Sequence, residues 1–251
     1  MNERPVILIT GSSGGIGTAA AICCAKQGAQ IVLHYHRNKK GAEDIAKTLD
    51  GADHICIAAD LTDPEQTENL ITETVSKAGQ LDVVVNNAGV SRRADIANID
   101  YEEWQKNWQY VVETNLTGPA NLAYCASQAM LKQGGGRIVN VSSRGAFRGE
   151  PLMPWYGASK AGLNAMGQSM AQALGPENIY IYTVAPGFVE TPMAAAILAS
   201  PEGESIRNQS SMKRVAQPAE IAETIRYLAF DAPAFMTGCI IDVNGASYLR
   251  S

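Results

Sequence analysis

The chain has 251 residues, of which 46% are hydrophobic and 18% carry a charged side chain, and its net charge at pH 7 is −5. The hydrophobic content excludes a disordered chain, and the acidic balance argues against a nucleic-acid-binding protein. The charged fraction lies below the quarter or so that is usual in globular proteins, which suggests that further copies of the chain cover part of its surface.

Cysteine usage and hydropathy indicate the compartment. The five cysteines form no CxxC pair and are odd in number, and the adjacent Cys23 and Cys24 lie in an apolar helical stretch. This pattern favours free thiols in a reducing compartment. No hydrophobic signal region follows the first residues and no run of about 18 apolar residues occurs, so the sequence predicts a cytoplasmic protein that does not enter a membrane.

Seven short apolar runs alternate with longer helical patterns along the chain. The runs are residues 6–9, 31–33, 55–57, 83–85, 138–141, 179–182 and 240–243. Continuous apolar strands separated by helices are typical of a parallel sheet covered on both faces. With right-handed crossovers, the sequence predicts one α/β domain over residues 1–251, a doubly wound (Rossmann) sheet of seven parallel strands with helices on both faces. Ligands of such sheets bind beyond the carboxyl ends of the strands.

A glycine-rich loop follows the first predicted strand, with the sequence TGSSGGIG at residues 10–17. Glycine lets the backbone turn sharply and approach a phosphate closely. The helix that begins near Gly15 would direct its free N–H groups and the positive end of its dipole toward that phosphate. The loop therefore predicts a nucleotide-binding site, and a plain tight turn is the alternative interpretation.

The end of the second strand indicates which dinucleotide binds. No carboxylate stands there to bond a ribose 2′-hydroxyl, and three positive charges between residues 37 and 40 follow Tyr35. Arg37 could form a bidentate hydrogen bond with the 2′-phosphate of NADP(H), so NADP(H) is the expected cofactor. The alternative is that these residues form a basic loop exposed to solvent. His34 and His36 alternate on one strand face, but no third ligand lies near them in the sequence and no metal is expected.

A second constellation points to chemistry. Tyr156 and Lys160 are four residues apart in a predicted helix, which places them on the same face. A nearby ammonium favours the phenolate, so Lys160 should lower the pKa of Tyr156. Ser143 ends the fifth strand, and the pleat should point the neighbouring Ser142 to the opposite face. The alternative is a tyrosine and a lysine that merely share a helix surface.

Together these motifs resemble the short-chain dehydrogenase/reductase family over residues 10–245. The glycine-rich loop resembles the TGxxxGxG motif of that family, and NNAG at residues 86–89 and PG at residues 186–187 match two further motifs. Asn115, Ser143, Tyr156 and Lys160 match its catalytic tetrad in order and spacing. The stretches 188–191 and 237–245 are most similar to the 3-oxoacyl-[acyl-carrier-protein] reductase branch of the family.

The resemblance implies a role for each member of the tetrad. Tyr156 is the general acid in carbonyl reduction and the base in alcohol oxidation, and Ser143 hydrogen-bonds the substrate oxygen. Lys160 also bonds the nicotinamide ribose, and Asn115 holds a water that relays protons to solvent. Alone, Asp60 is explained equally well as part of a helix N-cap. The implied cofactor-binding residues are Gly11, Ser13, Gly15, Ile16, Gly17, Tyr35, Arg37, Asp60, Leu61, Asn87, Ala88, Gly89, Tyr156, Lys160, Pro186, Gly187, Val189 and Thr191.

The implied activity is the NADPH-dependent reduction of a ketone, such as a 3-oxoacyl thioester, to a secondary alcohol. The alternatives are an NAD(P)-dependent dehydrogenase that oxidises secondary alcohols or polyols, and a non-catalytic nucleotide sensor. A homotetramer is implied, and residues 188–214 are expected to form a mobile substrate lid. The catalytic helix ends in ALGPE at residues 173–177 without a positive charge, so docking of an acyl carrier protein is not expected, although Lys132 and Arg137 keep that question open.

Overall fold

The structure is a computed structural model that describes residues 4–250, so residues 1–3 and 251 of the predicted domain lie outside the described part. Its strands are β1 (Val6–Ile9), β2 (Gln30–Tyr35), β3 (Ile55–Ala58), β4 (Val83–Asn86), β5 (Gly136–Val141), β6 (Ile179–Pro186) and β7 (Ile240–Val243). All seven pair in parallel, in the order β3-β2-β1-β4-β5-β6-β7. The predicted doubly wound sheet is confirmed.

Helices connect the strands and cover both faces of the sheet. They are α1 (Gly15–Ala25), α2 (Lys39–Ala46), α3 (Pro64–Ala78), α4 (Tyr101–Val112), α5 (Gly118–Gln133), α6 (Gly145–Arg148), α7 (Pro154–Leu174), α8 (Pro192–Leu198), α9 (Glu202–Asn208) and α10 (Pro218–Phe230). A π-helical turn, Glu113–Thr117, joins α4 to α5. No helix within residues 4–250 is both long enough and apolar enough to cross a membrane.

The two faces of the sheet bury two separate cores, because successive side chains of a strand point to opposite faces. In β1, Ile7 and Ile9 pack in the core beneath α1, α2 and α10, whereas Val6 and Leu8 pack in the core beneath α3, α5 and α7. None of these four side chains is more than 2% exposed. Burial of one such side chain stabilises the folded state by about 1.5–3 kcal/mol. Because both faces of the sheet are covered, every position of a strand gains from an apolar residue, and the strands are continuous apolar runs.

β6 is longer than the sequence predicts. The apolar run ends at residue 182, but pairing continues through Thr183, opposite Ile240, to Pro186, opposite Val243. Proline has no backbone N–H to donate to a neighbouring strand. It is tolerated here because it lies at the end of β6, where the pairing stops. This extension carries the PG motif of residues 186–187 up to the carboxyl edge of the sheet.

The order of the strands creates a crevice at that edge. β1 lies between β2 and β4, so the connections that leave β1 and β4 turn to opposite sides of the sheet. Such a switch point is where α/β sheets bind ligands. The loops after β1, β4, β5 and β6 all meet there.

Residues 188–214 lie beyond the carboxyl edge and form α8, α9 and their connections. A small core of Ala194, Leu198, Ile206 and Val215 holds them together, separately from the two main cores. A single β-bridge between Val189 and Ala216 closes the base of the segment. The sequence predicts a lid here but not its two short helices, because the apolar pattern of each is too short to be recognised.

Candidate active site

A cavity of about 1170 Å³ occupies the crevice at the carboxyl edge of the sheet. Most of the predicted site residues line it, namely Gly11, Ser13, Gly15, Ile16, Tyr35, Arg37, Asp60, Leu61, Asn87, Ala88, Gly89, Ser143, Tyr156, Lys160, Pro186, Gly187, Val189 and Thr191. Gly17 and Asn115 are not part of the lining, and both contact residues of the wall from behind.

The glycine-rich loop packs too tightly for side chains at its key positions. Gly11 has φ +62°, in the left-handed region that favours glycine. A Cβ on Gly17 would lie 2.4 Å from the carbonyl oxygen of Gly11 and 2.6 Å from Nδ2 of Asn87. Gly14, which precedes α1, has no capping side chain, so the first N–H groups of the helix stay available to an anion in the cavity.

His34 supports this loop from beneath instead of binding a metal. Its Nδ1 accepts a hydrogen bond from the N–H of Gly11 at 3.2 Å, so its Nε2–H donates to the carbonyl of Ala59 at 3.0 Å. Burial disfavours the charged ring and lowers the pKa of His34 to about 4, from an ordinary value of 6.5. A neutral imidazole therefore links the loop after β1 to the end of β3. The alternating histidines of β2 were the sequence signal, but they could not reveal these backbone partners.

The structure separates the two interpretations of Asp60. The N-cap of α3 is Asp63, which accepts hydrogen bonds from the N–H groups of Glu65 and Gln66. Asp60 instead lines the cavity and accepts bonds from the N–H and hydroxyl of Thr62, at 3.0 and 2.8 Å. Its carboxylate is therefore not used to cap the helix.

Three of the four residues of the predicted catalytic tetrad converge on the cavity. Ser143 follows β5, and its hydroxyl accepts a hydrogen bond from the N–H of Gly145 at 3.0 Å and contacts Tyr156 by a second hydrogen bond. Lys160 is 4% exposed, and its Nζ donates to the carbonyl of Val141 at 2.9 Å. The Lys160 nitrogen lies 5.9 Å from the centre of the Tyr156 ring.

The electrostatics of Tyr156 differ from the sequence prediction. Burial raises the pKa of Tyr156, and the hydrogen bond with Ser143 only partly opposes that effect. Burial also lowers the pKa of Lys160 to about 8. The prediction that Lys160 brings the pKa of Tyr156 below its usual value is wrong for this arrangement, because desolvation penalises both charged forms.

Asn115 lies in the π-helical turn and is fully buried. Its side-chain amide accepts a hydrogen bond from the N–H of Val90 at 2.8 Å and donates to the Val90 carbonyl at 2.9 Å. A Cβ on Gly89 would lie 3.2 Å from Oδ1 of Asn115 and 3.5 Å from Nζ of Lys160. Asn115 thus fixes the NNAG loop beside Lys160, and its implied water relay stays a prediction.

Ser142 is directed away from the tyrosine. Its hydroxyl donates to the backbone carbonyl of Lys160 at 3.3 Å, whereas the hydroxyl of Ser143 contacts Tyr156. The two neighbouring serines therefore have different roles. Ser142 connects α7 to the sheet, and Ser143 faces the phenol of Tyr156.

Arg144 and Glu150 are among the charged residues of the cavity wall that sequence reasoning missed. Arg144 is 3% exposed, although arginine is almost never buried without a partner. Glu150 lies close to Ser143, since a Cβ on Gly145 would be 3.0 Å from the Glu150 Oε1 and 3.3 Å from the Ser143 hydroxyl oxygen. The position of Arg144 directly after the predicted catalytic serine was the signal that could have drawn attention to it.

The chain is similar to known proteins over nearly its whole length. Residues 11–246 match the protein family described as enoyl-(acyl carrier protein) reductase. The chain is 35% identical over 243 residues to a 3-oxoacyl-[acyl-carrier-protein] reductase of Synechocystis sp., covering 96% of this chain and 95% of that protein. It is 32% identical over 252 residues to an acetoacetyl-CoA reductase of Allochromatium vinosum, covering 98% and 99%. A crystal structure of a short-chain dehydrogenase/reductase from Mycobacterium marinum has a TM-score of 0.87 at 28% identity and covers 97% of this chain and 95% of that one.

Proposed function

The chain belongs to the short-chain dehydrogenase/reductase family, and from that premise we propose that it reduces a ketone to a secondary alcohol with NADPH. The observation that carries the proposal is the meeting of Ser143, Tyr156 and Lys160 in the wall of one large cavity. Relatives named as reductases of 3-oxoacyl and acetoacetyl thioesters support a β-keto thioester as one substrate type.

The residues present fit a phosphorylated dinucleotide. The uncapped start of α1 offers N–H groups to a diphosphate, and Gly17 and Gly11 leave the backbone free to approach it. Arg37 is exposed at the cavity edge and, within residues 4–250, forms no ion pair with a carboxylate. Arg37 is therefore free to bind a 2′-phosphate, which favours NADP(H) over NAD(H).

In this proposal, NADPH supplies the hydride, and the protein acts on the substrate oxygen. Ser143 donates a hydrogen bond to that oxygen and stabilises its growing negative charge. Tyr156 then gives its phenolic proton to the oxygen, which completes the alcohol. The raised pKa of Tyr156 suits this role, because the phenol stays protonated at neutral pH until the oxygen demands the proton. Lys160 stabilises the phenolate that the transfer leaves behind.

The same residues support the reverse oxidation, in which Tyr156 is the base, so the direction depends on substrate and cofactor supply. We do not include docking of an acyl carrier protein in this proposal, although several relatives are named for acyl-carrier-protein substrates. Of the two basic residues near the end of α7, Arg137 is already engaged, since it donates to the carbonyl of Leu228 at 3.1 Å. Exposed Lys132 then remains as one charge, which is weak steering for an acidic partner.

We also propose that residues 188–214 act as a lid over the substrate end of the cavity. Met193 and Ile197 of α8 line the cavity, and Phe188 stands at the start of the segment. An ion pair between Arg93, after β4, and Glu202, of α9, spans 2.9 Å between the lid and the opposite rim. A weak exposed pair of this kind can open and close readily.

The test is turnover of NADPH and NADH with a panel of ketones that includes a 3-oxoacyl thioester, and of NADP+ and NAD+ with secondary alcohols. We expect ketone-dependent NADPH oxidation, and binding of NADPH at least about tenfold tighter than that of NADH. Arg37→Ala should weaken NADPH binding and leave NADH binding nearly unchanged. Turnover with NAD+ and alcohols alone would support the oxidative alternative, and cofactor binding without any turnover would support the nucleotide sensor.

A further inference from the structure

Arg144 is a buried cation whose direct contacts in the described part of the chain are a neutral amide and an aromatic ring. Its guanidinium lies 5.2 Å from the ring of Phe188 and donates a hydrogen bond to the neutral amide oxygen of Gln209. Among residues 4–250, no carboxylate forms an ion pair with it. A buried charge is strongly disfavoured unless it is paired, so this environment calls for an anion.

The surroundings add to the positive charge. Arg148 donates to the same Gln209 oxygen at 3.1 Å, so two cations converge on one neutral acceptor. Glu150 is close enough to influence Arg144 but does not pair with it. The other charges nearby are already neutralised, since Arg214 binds Glu220 through two bonds of 2.7 Å.

Arg144 also stands where a substrate would lie. It directly follows Ser143 and lines both the main cavity and a neighbouring cavity of about 270 Å³. The small cavity contains the polar residues Ser210, Asn244 and Ser247. Asp242 also lines it, but its carboxylate is bound by Arg250 at 2.7 Å and so repels an anion less. A group held at Arg144 would therefore share the main cavity with a carbonyl held at Ser143.

We infer that Arg144 binds a carboxylate carried by the ketone substrate itself, so that the enzyme acts on small oxo acids. The guanidinium has five N–H donors, one of which serves Gln209, and its planar fork matches the two oxygens of a carboxylate. The inference rests on the proposed ketone reduction and specifies its substrate class. Arg144 orients the substrate and takes no part in the proton transfer.

The test compares each of three oxo acids with its methyl ester: 3-oxobutanoate, 4-oxopentanoate and 5-oxohexanoate. The measured quantity is kcat/KM for the acid divided by kcat/KM for its methyl ester. Any effect of a substitution that changes both substrates equally cancels in this ratio. We expect a ratio of at least about 10 for one chain length in the unmodified enzyme, the size of one charge-assisted contact. Arg144→Met should reduce that ratio to about 1, and Arg144→Lys, which keeps the charge without the fork, should give an intermediate ratio.

Arg93→Met is the matched control, because Arg93 lines the same cavity but already pairs with Glu202. It should leave the acid-to-ester ratio within about twofold of the unmodified value. Binding is measured separately: the acid that is preferred should raise the Tm of the unmodified protein but not of Arg144→Met. If Arg144→Met does not fold, the Arg144→Lys ratio decides.

The outcomes separate the two proposals. Reduction of esters and acids at equal rates, with a ratio that Arg144 does not control, overturns the carboxylate site and leaves ketone reduction standing. A loss of both rates in Arg144→Met with no change of ratio would make Arg144 purely structural and also overturn the inference. If no ketone is reduced and no acid raises the Tm, both proposals fail. If no ketone is reduced but an acid raises the Tm only when Arg144 is present, the carboxylate site stands and ketone reduction fails.

Discussion

At the residue scale, burial is the largest influence on the pKa of three groups in the site, Lys160, Tyr156 and His34. Lys160 lies in the wall of the cavity yet is 4% exposed, and burial lowers its pKa to about 8. Burial raises the pKa of Tyr156 and lowers that of His34 to about 4. Near neutral pH the site therefore combines a protonated phenol, a neutral imidazole and a lysine close to its titration point. This combination suits an acid that delivers a proton to a substrate oxygen.

Replacement of Tyr156 tests that assignment. Tyr156→Phe removes the phenolic hydroxyl and keeps the ring, so it should lower kcat for ketone reduction by at least about 100-fold, the lower range for general acid catalysis. Steady-state kinetics measure kcat, and fluorescence titration should give an unchanged Kd for NADPH. Ser142→Ala is the control, because that hydroxyl bonds the backbone of α7, and it should have a mild effect. A Phe variant that keeps most of its activity would falsify the role of Tyr156.

His34 should make the fold sensitive to acid. Its folded pKa of about 4 lies below the ordinary 6.5, so the unfolded chain takes up a proton as the pH falls through 6.5, while the folded chain does not. The stabilisation is complete above pH 6.5 and is lost as the pH falls toward 4, by about 2–4 kcal/mol. His34→Gln should lack this part of the pH dependence in urea unfolding between pH 7.5 and 4.5. His36→Gln, at the exposed end of the same strand, is the matched control, and identical profiles for His34→Gln and the unmodified protein would contradict the prediction.

At the element scale, the site depends on how closely α1 approaches the end of β4. Gly17 allows that approach, because a side chain there would collide with the backbone of Gly11 and the amide of Asn87. Thr10, at the start of the glycine-rich loop, ties that loop to the end of β4, since its hydroxyl accepts hydrogen bonds from the N–H groups of Asn87 and Ala88, both at 2.9 Å. The cradle for a diphosphate is thus a product of helix–strand packing and not of the loop alone.

Two substitutions of glycines, at positions 14 and 17, test whether close packing or the glycine content of the loop matters for stability. Gly17→Ala forces α1 away from β1 and should reduce the free energy of unfolding by about 1–3 kcal/mol and weaken NADPH binding. Gly14→Ser meets nothing within 4 Å and introduces a favourable N-cap residue, so stability should be kept or slightly raised. Urea unfolding and NADPH titration measure both effects. Equal stabilities of the two variants would refute the packing argument.

At the scale of the whole molecule, the surface around α4 and α5 suggests that the chain associates with itself. Tyr101 is 75% exposed and Tyr124 is 62% exposed, and Trp108 and Tyr110 are also exposed. Aromatic residues are enriched in the interfaces of assemblies, and single exposed ones are common, but a group on two helices that both pack against α7 is less ordinary. This surface fits the homotetramer that the family resemblance implies.

Tyr124→Asp should therefore weaken the assembly. A charge in the centre of an apolar interface is desolvated without a partner, so light scattering should give a smaller mass for the variant than for the unmodified chain, for which we expect a tetramer. Lys47→Gln at the C-cap of α2, which covers the opposite face of the sheet, also lowers the charge by one unit and should leave the mass unchanged. An unmodified chain that is monomeric at micromolar concentration would show that the exposed aromatic residues serve another purpose.

The sequence by itself determined the seven strands, the fold class and most members of the candidate site, because these depend on local apolar runs and on motifs at fixed spacing. Only the tertiary structure decided how those members behave. The pKa of Tyr156 rises because distant elements bury it, and His34 is neutral because burial between the loop after β1 and the end of β3 disfavours its charged ring. Arg144 has no carboxylate partner within residues 4–250, because Gln209, far along the chain, offers it an amide. Desolvation and hydrogen-bond partners come from residues that are remote in sequence, and no local pattern specifies which of them will meet.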